Sequence, residues 1–478
     1  MNEQMPAPIG ISEEDWEQTP QSVRMYVRAM YEQVQELVRR VEELEEQVRR
    51  NSRNSSQPPS SDGPGQNMSV GQKPKGGKQG GQKGHPGHRR GLLPIEEVDE
   101  VIKYRPEICG GCGAELAGED PDPYRYQVTE LPPVKPHVTE HQVHSLECPC
   151  CGQVNRGELP AEVASSQFGP NLVALMAILM GVYRLSKRQV SRILNDCFAI
   201  SVSAGSVVKQ QETVSRALGE AVEEAEQYVQ KQDVRNIDET GWPQVEGGKR
   251  GWLWVVVTPL VTVFRVALSR AGQVAKELLG EDSQGIVGSD RYSAYNWIPI
   301  GLRQLCWSHL RRDFQKILER GGPSAQIGEP LCLLAQSVLH LWGRVRDGTL
   351  PLSDFLFVLP VLQDAVHHWL TQGAACSHPK TAETCRLILK LEPALWTFAT
   401  HPHAEPTNNS SERALRSAVI WRGISHGTQT ELGSRFVKRI LTVTETCRQQ
   451  ERNPLDYVRL AVMAYRSGLP SPSLLPVE

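Results

Sequence analysis

Val234-Arg235-Asn236-Ile237-Asp238 and, further on, Gly285-Ile286-Val287-Gly288-Ser289-Asp290 each read as a short strand that ends in an aspartate. Between them Trp252 to Val257 and Val261 to Val266 form two β-branched runs that turn at Thr258-Pro259-Leu260, which predicts a hairpin. A helix is predicted from Ala271 to Leu279, and Arg303 to Cys306 supplies one more short strand. Three strands, a helix and then further strands predict an α/β domain whose two aspartates lie at the C-terminal ends of neighbouring strands.

That order is the opening of a ribonuclease-H-like fold, and the two acids suit one chemistry. Cutting a phosphodiester and joining its 3′-hydroxyl to another strand are in-line displacements, which two Mg²⁺ or Mn²⁺ ions roughly 4 Å apart catalyse well. Hard cations take oxygen ligands, so Asp238 and Asp290 need a third carboxylate from a later element. Thr407-Asn408-Asn409-Ser410-Ser411-Glu412-Arg413-Ala414-Leu415-Arg416 offers Glu412 on a helix with a polar, cappable start. Taken singly, each of these acids reads more readily as a solvated surface group. It is the combination that points to catalysis.

Working upstream, 161–230 has helical periodicity. Leu172, Leu175, Met176 and Leu179 line one face. A helix from Ser186 to Cys197 carries Lys187, Arg188 and Arg192, and Ser203 opens another carrying Lys209. A short helix, a turn and a polar-faced helix suggest a helix-turn-helix that binds DNA through these four cations. A three-helix pack without that role is the plain alternative. Before it, Cys109-Gly110-Gly111-Cys112 and Cys148-Pro149-Cys150-Cys151 are paired C-x-x-C knuckles, each followed by a glycine. Two such knuckles supply four thiolates for one structural Zn²⁺, Cys109, Cys112, Cys148 and Cys151. Tyr124, Tyr126, Val128, Val138 and Val143 predict ribbon strands between them, while Cys150, His137, His141 and His144 are surplus to the ligand set. Residues 51–91 have almost nothing to bury. Lys73, Lys75, Lys78, Lys83, Arg89 and Arg90 there face Asp62 alone, which reads as a cationic arm for a phosphate backbone or as a plain linker. Val27, Val34, Val41 and Val48 with Met30, Leu37 and Leu44 make heptads that predict a parallel two-stranded coiled coil.

Bulk composition agrees with a multidomain soluble chain. It has 478 residues, 39% hydrophobic and 22% charged, with a net charge of −3. No apolar run approaches a membrane span, and no basic-then-apolar leader is evident, so the expected location is the cytoplasm, on the nucleoid. Eleven cysteines without a leader argue for metal binding rather than disulfides.

Several motifs together resemble one family. Asn51-Ser52-Arg53-Asn54-Ser55-Ser56-Gln57-Pro58-Pro59-Ser60-Ser61-Asp62, Gly80 to His88, the paired knuckles, Asp238-Glu239-Thr240, Cys306-Trp307-Ser308-His309-Leu310-Arg311-Arg312 and Asn408 to Ala414 follow the order of insertion-sequence-66 transposases. The resemblance implies a DDE transposase with Asp238, Asp290 and Glu412 as its triad and Mg²⁺ or Mn²⁺ as its cofactor, two ions per site. It also implies an all-helical insertion before the last acid, which about 316–400 suits, and DNA partners in the element ends and target. Cys306, His309, Asn408, Asn409 and Arg413 are expected to support the acids rather than hold metal themselves. Ser411 stands where the family often has Ala, and Gly241-Trp242-Pro243 is a less familiar continuation of the first motif.

The expected order is a coiled coil over 1–50, a basic linker over 51–91, a zinc ribbon over 92–160 and DNA-binding helices over 161–230. The catalytic domain follows over 231–435 and a helical segment over 436–478. A homodimer or larger assembly is expected, with element-encoded helper proteins as further partners and no membrane. Two rival readings are a DNA-binding regulator that has lost its chemistry and a nuclease of the same fold.

Overall fold

The computed structural model describes residues 12–25, 27, 30, 39–41, 55–57, 91–164, 166–244, 250–282 and 284–476. The described residues fall into two units. The larger takes those within 1–67, 140–192 and 201–478, the smaller those within 68–139 and 193–200. The cations of the basic arm, Lys73 to Arg90, lie outside the described residues, as does most of the heptad segment.

In the smaller unit Ile108 and Glu115 form an isolated antiparallel bridge around the first cysteine pair. Leu93 is tied to Gln127 through its N–H at 2.8 Å and accepts at its carbonyl from Arg125 at 2.6 Å. The expected ribbon strands are not there. Tyr124, Tyr126, Val128 and Val138 belong to no strand and are each more than three-quarters exposed. β-branched and aromatic residues make strands where a second layer covers one face, and these side chains have no such cover.

In the larger unit a short helix over Glu13–Gln18 comes first in the chain, and a short antiparallel hairpin, β1 (Ser145–Glu147) and β2 (Val154–Arg156), surrounds the second cysteine pair. After a single turn over Ala161–Ala164 come the longer helices α1 (Pro170–Gly181), α2 (Lys187–Phe198, whose residues from 193 on fall in the smaller unit), α3 (Ala204–Ala217) and α4 (Gly219–Gln230). Pro at the first turn starts α1, where its missing N–H costs nothing. Ser203 caps α3, its side chain accepting from the Ser206 N–H at 3.0 Å. Five strands then form one mixed sheet: β3 (Val234–Pro243), β4 (Arg250–Val257), β5 (Thr262–Ala267), β6 (Ile286–Ser289) and β7 (Arg303–Leu305). Their order is β5-β4-β3-β6-β7. β3 to β5 pair antiparallel, while β6 runs parallel to β3 and β7 parallel to β6. The crossover between β5 and β6 carries α5 (Gly272–Leu279). A Cβ at Gly288 would meet the Asn236 side-chain oxygen, which would have to move aside.

After β7 the chain is helical: α6 (Trp307–Leu318), α7 (Gly322–Arg346), α8 (Leu352–Ala374), α9 (Pro379–Leu389), α10 (Asn409–Ser425), α11 (Glu431–Gln449) and α12 (Pro454–Arg466). The stretch 316–400 thus holds the end of α6 and α7 to α9. These pack around Leu310, Phe314, Leu331, Phe355, Leu370 and Trp396. A second core lies between the sheet and the last helices, where Trp242, Leu253, Val255 and Phe264 meet Leu415, Ala418, Val437 and Leu441. Among the described residues no helix is long and apolar enough to cross a membrane.

The structure corrects one boundary. β3 does not end at Asp238 but runs on to Pro243, paired with β4 throughout. Glu239 and Gly241, on either side of Thr240, have little strand propensity of their own. The apolar β4, with Trp254, Leu253 and Trp252 opposite them, carries them into the ladder.

Candidate active site

The parallel pairing of β3 with β6 stops at Asn236 and Gly288. Continuing that register by two residues sets Asp238 level with Asp290. Alternation along β3 turns Asp238 toward the face that holds Val255, its partner on β4, and Trp242. α10 packs on this face of β3 and β4, so Glu412 in its first turn comes to the same place. β3, the end of β6 and α10 thus bring the three acids into one neighbourhood, near enough for the charges of Asp290 and Glu412 to act on Asp238. Burial, then the charges of Glu239, Asp290 and Glu412, push the Asp238 carboxyl well above the usual carboxylate range. The opposing contact is the Glu239 N–H, which donates to Asp238 Oδ1 at 2.9 Å. Among the described residues no three His, Cys, Asp or Glu side chains stand close enough together to share one ion.

Asp290 ends β6 as the head of a turn, accepting the Tyr292 N–H at 2.8 Å. Arg303 fixes this corner from β7. It is fully buried and donates to Ser289 Oγ at 3.2 Å, Asn296 Oδ1 at 3.1 Å and the Asp290 carbonyl at 2.8 Å. Burial lowers its pKa to about 10, so it stays charged at neutral pH. Glu412 receives Arg312 Nη2 at 3.2 Å, and His309 Nδ1 lies 3.5 Å from the same oxygen. Burial and the Arg312 charge hold the His309 imidazole below its usual range.

The supporting residues divide. Asn408 is fully buried at the start of α10, yet its side chain does not cap the helix. It turns to the sheet, where Nδ2 donates to the Ile237 carbonyl at 3.4 Å, beside Asp238. Cys306 begins α6, its N–H bonded to the Ser289 carbonyl at 2.9 Å. Its thiol is pushed up to about 11 by burial, against hydrogen bonds from the Asn408 and His309 backbone, so it stays neutral. Asn409 is exposed, accepting from Ser308 Oγ at 3.3 Å, and Arg413 points to solvent. Two other acids of this region are otherwise engaged. Glu405 accepts Trp342 Nε1 at 2.9 Å, and Glu431 pairs with Arg435 at 2.8 Å.

Sequence reasoning missed a second network on the opposite side of β3. Glu239, almost fully buried, accepts Arg270 Nε at 2.8 Å and Nη2 at 2.6 Å, together with the Tyr295 hydroxyl. Arg270 lies between the Trp252 and Tyr292 rings, 4.6 Å and 3.9 Å from their centroids. Burial, partly offset by these partners, raises the Glu239 carboxyl. The signal was available: Glu239 follows Asp238 on a strand whose alternate positions are buried, and a buried carboxylate needs a cation. Gly241-Trp242-Pro243 also finds its reason. Trp242 is fully buried in the core under α10 and donates to Thr428 Oγ1 at 3.1 Å.

Away from the acids, Lys187, Arg188 and Arg192 on α2 and Lys209 on α3 are all exposed. The two cysteine turns have matching backbones. In the first, the Cys109 N–H bonds Ala114 O at 2.8 Å, Gly113 N–H bonds Cys109 O at 2.9 Å, and Gly113 has φ +73°. In the second, the Cys148 N–H bonds Gln153 O at 2.8 Å, Gly152 N–H bonds Cys148 O at 2.9 Å, and Gly152 has φ +70°. Backbone N–H groups of Gly111 and Cys112 lower the Cys109 thiol, and those of Cys150 and Cys151 lower Cys148. Such turns favour thiolates.

Known proteins share this plan. The profile described as Transposase IS66 family matches residues 165–435, which include Asp238, Asp290 and Glu412. The zinc-finger binding domain of transposase IS66 matches 106–152, across both cysteine turns, and a family of unknown function matches 12–91. Two relatives come from Sinorhizobium fredii (strain NBRC 101917 / NGR234). Uncharacterized protein y4qI is 25% identical over 85% of this chain and 78% of its own length. Uncharacterized protein y4hP is 24% identical over 75% of this chain and 70% of its own length. With more than half of its length matched by the first profile, the chain belongs to the IS66 family of insertion-sequence transposases.

Proposed function

We propose that the chain is a DDE transposase, with a ribonuclease-H-like sheet from β3 to β7 and Asp238, Asp290 and Glu412 as its catalytic acids. The observation that carries this reading is electrostatic. Burial first, and then the charges of Glu239, Asp290 and Glu412, hold the Asp238 proton well above the usual range, so the carboxylates that α10 and the sheet gather here are short of positive charge. Three oxygen donors of net negative charge fit a hard divalent cation, Mg²⁺ or Mn²⁺, and do not fit a soft one. When bound, such ions polarise the scissile phosphate and stabilise the leaving oxygen. The chain's own part is positional. β3 and β6, paired as far as Asn236 and Gly288, carry Asp238 and Asp290 two residues beyond that point, and Asn408 ties the start of α10, and with it Glu412, to the Ile237 carbonyl.

DNA is the substrate and partner. The exposed Lys187, Arg188, Arg192 and Lys209 on α2 and α3 suit a helix-turn-helix that meets phosphates. The two cysteine turns together supply Cys109, Cys112, Cys148 and Cys151, four thiolates, the complement of a structural Zn²⁺. The heptads of the N-terminal segment suit pairing of subunits, as joining two element ends requires.

Asp238→Asn, Asp290→Asn and Glu412→Gln should each abolish Mg²⁺-dependent cleavage of a labelled element end and leave gel-shift affinity near that of the unmodified protein. Normal cleavage by Glu412→Gln would remove Glu412 from the triad. Normal cleavage by all three would end the DDE reading.

A further inference from the structure

The cation that Glu412 meets in the structure is an arginine. Arg312 Nη2 lies 3.2 Å from Glu412 Oε1, and its side chain is 16% exposed. A guanidinium so far withdrawn from water needs an anion beside it. The nearest alternative on its own helix, Asp313, is already taken: Arg291 reaches it through Nε at 2.9 Å and Nη2 at 2.7 Å, and Lys316 adds a contact at 3.5 Å. Arg312 therefore depends on Glu412. It also stands close to the acids, because α6 starts at Cys306, whose N–H is bonded to the last residue of β6 beside Asp290.

We propose that Arg312 is a catalytic residue parked on Glu412, which moves to the scissile phosphate once Glu412 has turned to a bound divalent cation. The inference rests on the reading of Glu412 as a metal ligand. One carboxylate oxygen cannot serve the guanidinium and a hard cation equally, so a cation that takes Glu412 leaves Arg312 without its anion. The substrate brings one. A phosphodiester presents two oxygens at the spacing of the guanidinium fork, and the negative charge gathered on them during displacement is what a planar donor pair stabilises.

The test uses the full chain, Mn²⁺ binding followed by electron paramagnetic resonance, and cleavage of a labelled element end at saturating Mn²⁺. Arg312→Gln removes the competitor for Glu412, so Mn²⁺ should bind about two- to fivefold tighter, the range of a partly exposed ion pair. Cleavage should fall on the order of 10²- to 10³-fold, the usual loss for one donor to a developing anion. The two effects have opposite sign. If Arg312 merely held Glu412 in place, Arg312→Gln would weaken Mn²⁺ binding and cleavage together, and that result would overturn the proposal. Unchanged cleavage would overturn it as well. Arg312→Lys keeps the charge and loses the fork, so it should bind Mn²⁺ nearer to the unmodified protein and recover part of the rate. Failure of Arg312→Lys to exceed Arg312→Gln in rate counts against the proposal. Glu412→Gln separates the two readings. If it binds Mn²⁺ as the unmodified protein does, the ligand assignment itself is wrong. If it binds weakly while Arg312→Gln does not bind more tightly, the parked arginine alone is wrong.

Discussion

Asp238→Asn should abolish catalysis and, in chelator, make the protein more stable. The side chains are nearly isosteric, so packing against Val255 and under α10 changes little, and the difference is one charge. That charge is unfavourable where it stands. Burial, Glu239, Asp290 and Glu412 all disfavour it, and the hydrogen bond from the Glu239 N–H offsets them in part. Relieving one unfavourable charge without altering shape falls in the usual range of a single substitution, on the order of 1–2 kcal/mol. For a domain of 150–250 residues that is a rise in Tm of roughly 2–8 °C. The sign with pH follows from the raised carboxyl. An acid whose folded pKa lies above its unfolded value adds stability in its protonated form, present at low pH and lost as pH rises through the folded pKa. The advantage of Asp238→Asn should therefore be largest at neutral pH and shrink on acidification. Saturating Mn²⁺ should reverse the order, since a ligand at a hundred times its Kd stabilises by about 2.7 kcal/mol and the variant has lost part of its site. Differential scanning calorimetry in EDTA and in Mn²⁺ measures both. A variant less stable in EDTA, or no crossing in Mn²⁺, would refute the view of this site as crowded carboxylates awaiting a cation.

Other perturbations test other parts of the molecule. Replacing Cys109 and Cys112 together by Ser should release about one zinc per chain in metal analysis and destabilise the local fold; full retention would place zinc elsewhere. Trp242→Ala should cost about 3–5 kcal/mol in urea unfolding, because Trp242 fills the core between the sheet and α10; a loss under 1 kcal/mol would contradict that packing. Replacing Lys187, Arg188, Arg192 and Lys209 by Ala should flatten the salt dependence of element-end binding by about 0.9 in log–log slope for each phosphate no longer neutralised. An unchanged slope would separate these cations from the DNA.

The two strand aspartates were readable because an apolar run ending in an acid is a local signal, and the hairpin between them was readable from its turn. The extent of β3 was not. Glu239-Thr240-Gly241 looks like the polar end of a strand, and only the pairing with Leu253 and Trp254 on β4 makes it continue. A carboxylate that looked terminal is thereby set inside a long strand, beside the point where β6 ends. The basic partners were equally hidden, for a different reason. Arg270 meets Glu239 across 31 residues and Arg312 meets Glu412 across 100, and no local periodicity encodes such a pair. Motif order placed Asn408 among the groups expected to support the acids, but gave no hint that it would do so by bonding the sheet. Asp290 and Glu412 declare themselves in the sequence because one follows a strand and the other opens a helix, and Asp238 because the apolar run before it stops there. The groups that balance their charge leave no such mark, whether in a loop, as Arg270 is, or within a helix, as Arg312 is. A site of this kind is therefore half legible: its negative charges can be read from the chain, and the positive ones appear only when the fold brings them within hydrogen-bonding distance.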